Sequence, residues 1–254
     1  MNADPTQRFS SRVESYVRFR PGYPSEILAA LEGECGFKPQ SRVADIGSGT
    51  GILTELFLRN GNPVAAVEPN REMREAAERR LGRYPNFRSV DGRAEATTLD
   101  SRSTDFVTAA QSFHWFDRVE ARSEFLRILA NDGWVVLIWN ERDTSSTPFA
   151  RAYEELLHHY GTDYERVDHR RIDQLVLSGF FGTPGFASRS FPNCQILDHE
   201  GLRGRLFSSS YTPEPGHPNY EPMLRAVDVL FREYAVEDRV VLEYETRMYF
   251  GRLT

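Results

Sequence analysis

The chain has 254 residues, 40% of them hydrophobic and 27% charged, which is enough to bury a sizeable core as one domain. Its formal charge of -6, from 31 basic and 37 acidic residues, gives no net attraction for nucleic acid, and no run approaches the roughly 18 apolar residues of a membrane span. Two cysteines, Cys35 and Cys194, make no disulfide framework, and the polar stretch Met1 to Arg20 has no apolar signal-peptide core, so the cytoplasm is the expected location.

In chain order, Tyr16 and Arg20 share a face if their segment is helical, and Pro21-Gly22-Tyr23-Pro24 ends that helix as an arm. A second helix is expected from Ser25, as its N-cap, to Glu34. Val43, Ala44 and Ile46 then read as a short buried strand running into Gly47-Ser48-Gly49-Thr50-Gly51, and Ile52 to Leu58 carry helical spacing. Three alternate glycines at a strand-to-helix turn let a ligand lie against the backbone. Asp45 adds a carboxylate at the strand's carboxyl end, where open α/β sheets bind ligands.

Pro63 to Val67 reads as a second strand with Glu68 at its tip, placed to accept hydrogen bonds from a ribose. A helix from Asn70 to Leu81 follows, then a strand from Phe87 to Val90 and another from Asp105 to Ala110. Gln111-Ser112-Phe113-His114-Trp115-Phe116 lies at that last strand's end. Residues 118 to 130 read as a helix with Val119, Phe125, Leu126 and Leu129 on its apolar side, Asn131-Asp132-Gly133 as a turn, and Trp134 to Trp139 as a central strand. Alternating strands and helices give an α/β chain with a doubly wound, mostly parallel sheet.

Beyond Asn140, helices are expected at Phe149 to Tyr160, Ile172 to Ser178 and Leu202 to Phe207, before a proline-rich loop from Ser208 to Pro222. Phe186 to Ile196 alternates as a strand, a helix runs from Glu221 to Tyr234, and a last strand from Val240 to Tyr249. The expected layout is one domain over residues 1–254. It comprises an arm and helix (1–40), a ligand-binding core (41–142), late core elements with helical cap insertions (143–238) and a final strand (239–254). His158, His159, His169, His199 and His217 match no metal spacing, so no metal is expected.

These motifs resemble the class I S-adenosylmethionine-dependent methyltransferases. Val43 to Gly51 is similar to that family's first motif, Glu68-Pro69-Asn70-Arg71-Glu72-Met73 to its second and Gly92-Arg93-Ala94-Glu95 to its third. The resemblance implies a seven-stranded sheet, five strands parallel and the last two an antiparallel hairpin. It implies S-adenosylmethionine as cofactor and S-adenosylhomocysteine as product. Cofactor contacts carry over to Asp45, Gly47, Ser48, Gly49, Gly51, Glu68, Pro69, Asn70, Met73, Ala94, Glu95 and Gln111. Arg93 stands where many members have an aspartate, so the adenine amine contact passes to Glu95.

Ala109 to Phe116 and the Tyr16 to Pro24 arm resemble the small-molecule branch that includes trans-aconitate methyltransferases. The expected reaction is in-line methyl transfer to an O or N atom of a small molecule, with an acid among the candidate substrates. Substrate candidates are Tyr16, Arg20, Tyr23, His114, Trp115 and Tyr211. His114, which titrates near neutrality, is the candidate base for a hydroxyl or amine acceptor; a carboxylate acceptor needs none. A nicotinamide-dependent dehydrogenase is disfavoured because its fingerprint needs a glycine where Ile52 stands. A cofactor-binding protein without catalysis on the same fold is the alternative.

Overall fold

The computed structural model describes residues 13–164, 173–183 and 185–253. The expectations for Met1 to Arg12, for His169 and for a helix start at Ile172 lie outside them. Helices α1 (Val13–Phe19) and α2 (Glu26–Cys35) precede β1 (Val43–Ile46), α3 (Ile52–Arg59), β2 (Val64–Val67), α4 (Arg71–Leu81) and β3 (Phe87–Val90). Then come β4 (Thr104–Ala110), a 3-10 turn at Phe113–Trp115, α5 (Arg118–Ile128), β5 (Leu129–Arg142), α6 (Pro148–Tyr160) and α7 (Gln174–Phe181). The chain closes with β6 (Ala187–Leu197), α8 (His199–Phe207), α9 (Tyr220–Tyr234) and β7 (Val240–Gly251).

The strands form one seven-stranded sheet in the order β3-β2-β1-β4-β5-β7-β6. The first five are parallel, and β7 runs antiparallel to both β5 and β6. Every residue of β1 is buried, and so is the stretch Val135 to Asn140 of β5, as a sheet covered on both faces requires. Ile27 and Leu31 of α2 and Leu53, Phe57 and Leu58 of α3 cover one face. Phe125 and Ile128 of α5 and Leu177, Phe180 and Phe181 of α7 cover the other. A third cluster joins α6, α8 and α9 to the Val240 to Tyr244 end of β7, which forms the cap. No helix among the described residues is long and apolar enough to cross a membrane.

Four local expectations are corrected. Ser25 has helical backbone angles and makes no side-chain capping bond. On α5 the buried side chains are Ala121, Phe125 and Ile128. Val119 is 80% and Leu126 39% exposed, and Leu129 belongs to β5. Steps of four and three residues, from Ala121 to Phe125 to Ile128, set the inward stripe, and Val119 falls off it. Asn131 to Gly133 is a break in register within β5 rather than a separate turn, since Thr104 pairs with Leu129 and Phe106 with Trp134. Helix α7 continues through Gly179 to Phe181 because Phe180 and Phe181 bury in the core, a tertiary gain that exceeds glycine's cost of about 1 kcal/mol.

β1 sits at the point where the strand order reverses, with β2 on one side and β4 on the other. The crevice beyond its carboxyl end is therefore where this architecture binds ligands. Gly51, at φ +79, starts α3 there, and a Cβ on it would overlap Cδ1 of fully buried Leu81. Gly51→Ala is expected to cost about 2–4 kcal/mol, combining left-handed strain with overpacking. Thermal unfolding checks it as a melting point several degrees lower.

Candidate functional site

The site starts from backbone groups at the tips of β1 and β2. Gly47 and Ser48 donate their N–H groups to the Val67 carbonyl at 2.8 and 3.1 Å, folding the glycine turn over β2. Glu68, 8% exposed, accepts from the Gly49 N–H through Oε2 and from the Asn70 N–H through Oε1, each at 2.9 Å. Asn70 Oδ1 in turn caps α4 by accepting from the Met73 N–H at 2.9 Å. Burial raises the Glu68 carboxyl above its usual range, opposed by these two amides and by Arg74. The Arg74 guanidinium donates to the carbonyls of Glu68 and Pro69, both at 2.8 Å, which fixes the loop between β2 and α4.

A cavity of about 430 Å³ opens beside this turn. Gly47, Gly49, Glu68, Pro69, Asn70 and Met73 form one side of it. Ala94, Glu95, Gln111, Ser112, Trp115 and Phe116 form the other. Nine of the twelve expected cofactor residues are thus brought together. The Glu95 carboxylate is held by the Asp117 N–H at 2.8 Å, and Ser112 Oγ donates to the Ile46 carbonyl at 2.9 Å.

The other three lie elsewhere. Gly51 starts α3, while Asp45 and Ser48 border a separate space of about 20 Å³ with Tyr16, Tyr23 and Ile52. Asp45 is 1% exposed, and its two oxygens accept from Thr54 Oγ1 at 2.6 Å and Thr108 Oγ1 at 2.9 Å. It therefore ties α3 to β4 underneath the glycine turn.

The cavity suits the cofactor expected from the motifs. Gly49 has φ +56, and a Cβ placed on it would meet nothing within 4 Å, so its backbone lies bare against the cavity. Glu68 lies at its wall, where it would accept from ribose hydroxyls, and Met73 and Ala94 would supply apolar contact for a flat base. The volume falls in the ordinary range for small-molecule sites.

A second cavity, about 150 Å³, lies under the amino-terminal arm. Tyr16, Arg20, Tyr23 and Tyr211 line it, as expected of substrate candidates, but so do Arg142, Arg205, Tyr164 and Tyr244, which no motif had singled out. Arg142 is paired with Glu154 and donates to Tyr164 Oη at 3.0 Å. Arg205 donates to Tyr244 Oη at 3.0 Å and to Ser209 Oγ at 2.9 Å. Arg20 donates to the Ser208 carbonyl at 2.9 Å and stacks on Tyr16 at 4.8 Å.

Two guanidinium nitrogens, Arg20 Nε and Arg142 Nη1, are buried with no hydrogen-bond partner among the described residues. Glu154 is paired with Arg142, and Glu141 with Arg247 at 3.1 Å. Arg20 and Arg205 have no ion pair among the described residues. Burial alone would raise the Tyr211 phenol, yet Arg205, Arg142 and Arg20 outweigh it and bring it below its ordinary value.

Trp115 borders the larger cavity. His114, in the 3-10 turn, packs its ring against Trp115 at 4.6 Å and is not among the described residues lining either cavity. Among the described residues no group of three or more histidine, cysteine or acidic side chains is placed to hold a metal ion.

The buried Asp45 carboxyl titrates at about 6, raised mainly by burial and lowered in part by its two threonine partners. A carboxyl whose folded value lies above its unfolded value of 3.8 contributes stability at low pH and loses it as pH rises through the folded value. Between about pH 4 and 6 this group therefore lowers stability as pH increases, by up to about 3 kcal/mol. Asp45→Asn should remove that slope, as read from melting temperature against pH for both proteins.

Residues 44–137 match the family model described as a methyltransferase domain. An uncharacterised methyltransferase of Mycobacterium tuberculosis is 38% identical over 140 residues, which is 55% of each chain. The chain thus spans about half the length of that relative. An uncharacterised methyltransferase-like protein of Schizosaccharomyces pombe is 27% identical over 94% of this chain and 92% of its own. Among solved structures, a proposed Type II methyltransferase from Anaeromyxobacter dehalogenans superposes with a TM-score of 0.67 at 20% identity, covering 92% of this chain and 98% of that one. Phosphoethanolamine N-methyltransferase 2 of Haemonchus contortus, in complex with S-adenosyl-L-methionine, gives 0.56 at 16% identity over 99% of this chain and 59% of that one. The seven-stranded sheet with the glycine turn at its switch point thus has the Rossmann-like fold of methyltransferases, and residues 44–137 are similar to a methyltransferase domain.

Proposed function

We propose that the protein transfers a methyl group from S-adenosylmethionine to an O or N atom of a small acid. The observation that carries this reading is the second cavity, where three guanidiniums converge beside the cofactor cavity and two of them lack a carboxylate partner among the described residues. Buried cations are costly unless paired. Arg20 and Arg205 are left over, and Arg20 Nε and Arg142 Nη1 are unpartnered donors among the described residues, which suits an acceptor with two negative charges.

S-adenosylmethionine, when bound, supplies an electrophilic methyl group on a sulfonium. The chain's own residues would act mainly by positioning. Glu68 and Asn70 would orient the nucleoside end, and the glycine turn would admit it against bare backbone. Trp115 and Phe116 would keep water from the sulfur, and their faces would favour its charge by about 0.5–2 kcal/mol. Arg20 and Arg142 would grip the acid and fix which of its atoms faces the methyl carbon. For an ionised carboxyl acceptor no base is required, which agrees with His114 lying outside the cavity walls. The alternative of binding without catalysis is disfavoured by a second, chemically distinct cavity adjoining the first.

Incubation with S-adenosylmethionine and a panel of neutral, monoanionic and dianionic small molecules tests the reading. S-adenosylhomocysteine and a methylated product should form with dianions at the lowest Michaelis constant; release with neutral molecules only would overturn it. Arg20→Ala should raise that constant about 10- to 100-fold, the loss of one hydrogen bond between charged groups, with cofactor affinity unchanged in calorimetry. Glu68→Ala should do the reverse, weakening S-adenosylmethionine tenfold or more, about 1.4 kcal/mol.

A further inference from the structure

Tyr16 and Gln111 are the described residues that border both cavities. In-line transfer needs the acceptor atom within roughly 3–3.5 Å of the methyl carbon. On the proposed function, on which this inference rests, the reacting atoms therefore meet where these two side chains stand.

Gln111 is built for that place. It follows the last residue of β4 with φ +57, a left-handed conformation that a glutamine adopts only against strain. Its backbone N–H donates to the Ile138 carbonyl at 3.0 Å, and its side-chain Nε2 donates to the Asn140 carbonyl at 3.2 Å. Backbone and side chain are thus both fastened to β5. A carbonyl oxygen can face only the nitrogen of the carboxamide, so the amide orientation follows from its partner. Oε1 is left as an acceptor with no hydrogen bond among the described residues. A glycine would take this backbone conformation without strain, so the retained side chain marks a use for it.

We infer that Gln111 Oε1 faces the methyl group of the bound cofactor and holds it toward the arginine-lined cavity. The hydrogens of a methyl on a sulfonium carry part of its positive charge, and an acceptor-only oxygen held at their position attracts them through short C–H to O contacts. S-adenosylhomocysteine has neither the methyl nor the charge. Gln111 therefore discriminates between the cofactor before and after transfer, a role that a merely structural residue does not have.

The test is calorimetric titration of the wild type, Gln111→Ala and Gln111→Gly with S-adenosylmethionine and, separately, S-adenosylhomocysteine, together with melting curves of each protein. Both variants should lose about threefold in the ratio of S-adenosylmethionine to S-adenosylhomocysteine affinity, with little change for the latter. Gln111→Gly should melt higher than Gln111→Ala, because only glycine relieves the left-handed backbone, and a common loss of the ratio then traces to the side chain. Equal losses for both ligands, or an unchanged ratio, overturn the inference alone. A wild type that binds neither ligand overturns the proposed function and the inference together.

Discussion

One buried carboxylate holds the cofactor side of this molecule in shape. Glu68 receives the Gly49 amide on one oxygen and the Asn70 amide on the other, so the turn after β1 and the cap of α4 are pinned to the same group. With the Gly47 and Ser48 hydrogen bonds to the Val67 carbonyl, that grip offsets the cost of ordering the turn, since glycine loses more conformational freedom on ordering than any other residue. Asp45 supports the same turn from below by tying α3 to β4. The two carboxylates divide the labour: one shapes the cavity wall and the other fixes the floor.

The second cavity is organised by an opposite kind of constraint. Arg20 of the arm, Arg142 of β5 and Arg205 of α8 share about 150 Å³, and like charges buried together repel. Aromatic faces and phenol oxygens moderate this, with Arg20 on Tyr16, Arg142 on Tyr153 and Arg205 hydrogen-bonded to Tyr244. The compensation is partial, and the remaining positive potential is what would select an acid. The arm that closes the cavity is itself secured through backbone, because Asn140 and Asn193 both donate to the Gly22 carbonyl at 3.0 Å.

The cofactor half was legible in the sequence because its signals are local. A glycine turn between a buried strand and a helix, an acid at the next strand tip and an asparagine cap all lie within about one βαβ unit, and periodicity located each element. The arginine-lined cavity was legible only in part. Tyr16, Arg20, Tyr23 and Tyr211 were picked from turns and loops. Arg142 sits at the end of a long apolar strand and Arg205 inside a short helix without an amphipathic pattern, where an arginine reads as ordinary surface. Only their contacts across the fold, Arg205 with Tyr244 of β7 and Arg142 with Glu154 of α6, reveal them as buried. The same absence of tertiary information put Val119 on the wrong side of α5.

The two cavities draw on the chain very differently. Apart from Tyr16, the walls of the larger cavity come from the stretch between Gly47 and Glu120, whereas those of the arginine-lined cavity run from Tyr16 to Tyr244. During synthesis from the amino end, the stretch that lines the first cavity is made before most of the cap. The arginine-lined cavity is complete only with β7 in place between β5 and β6, since Tyr244 of that strand is part of its wall. A nascent or carboxyl-truncated chain would then bind cofactor beside an acceptor site that is open to water.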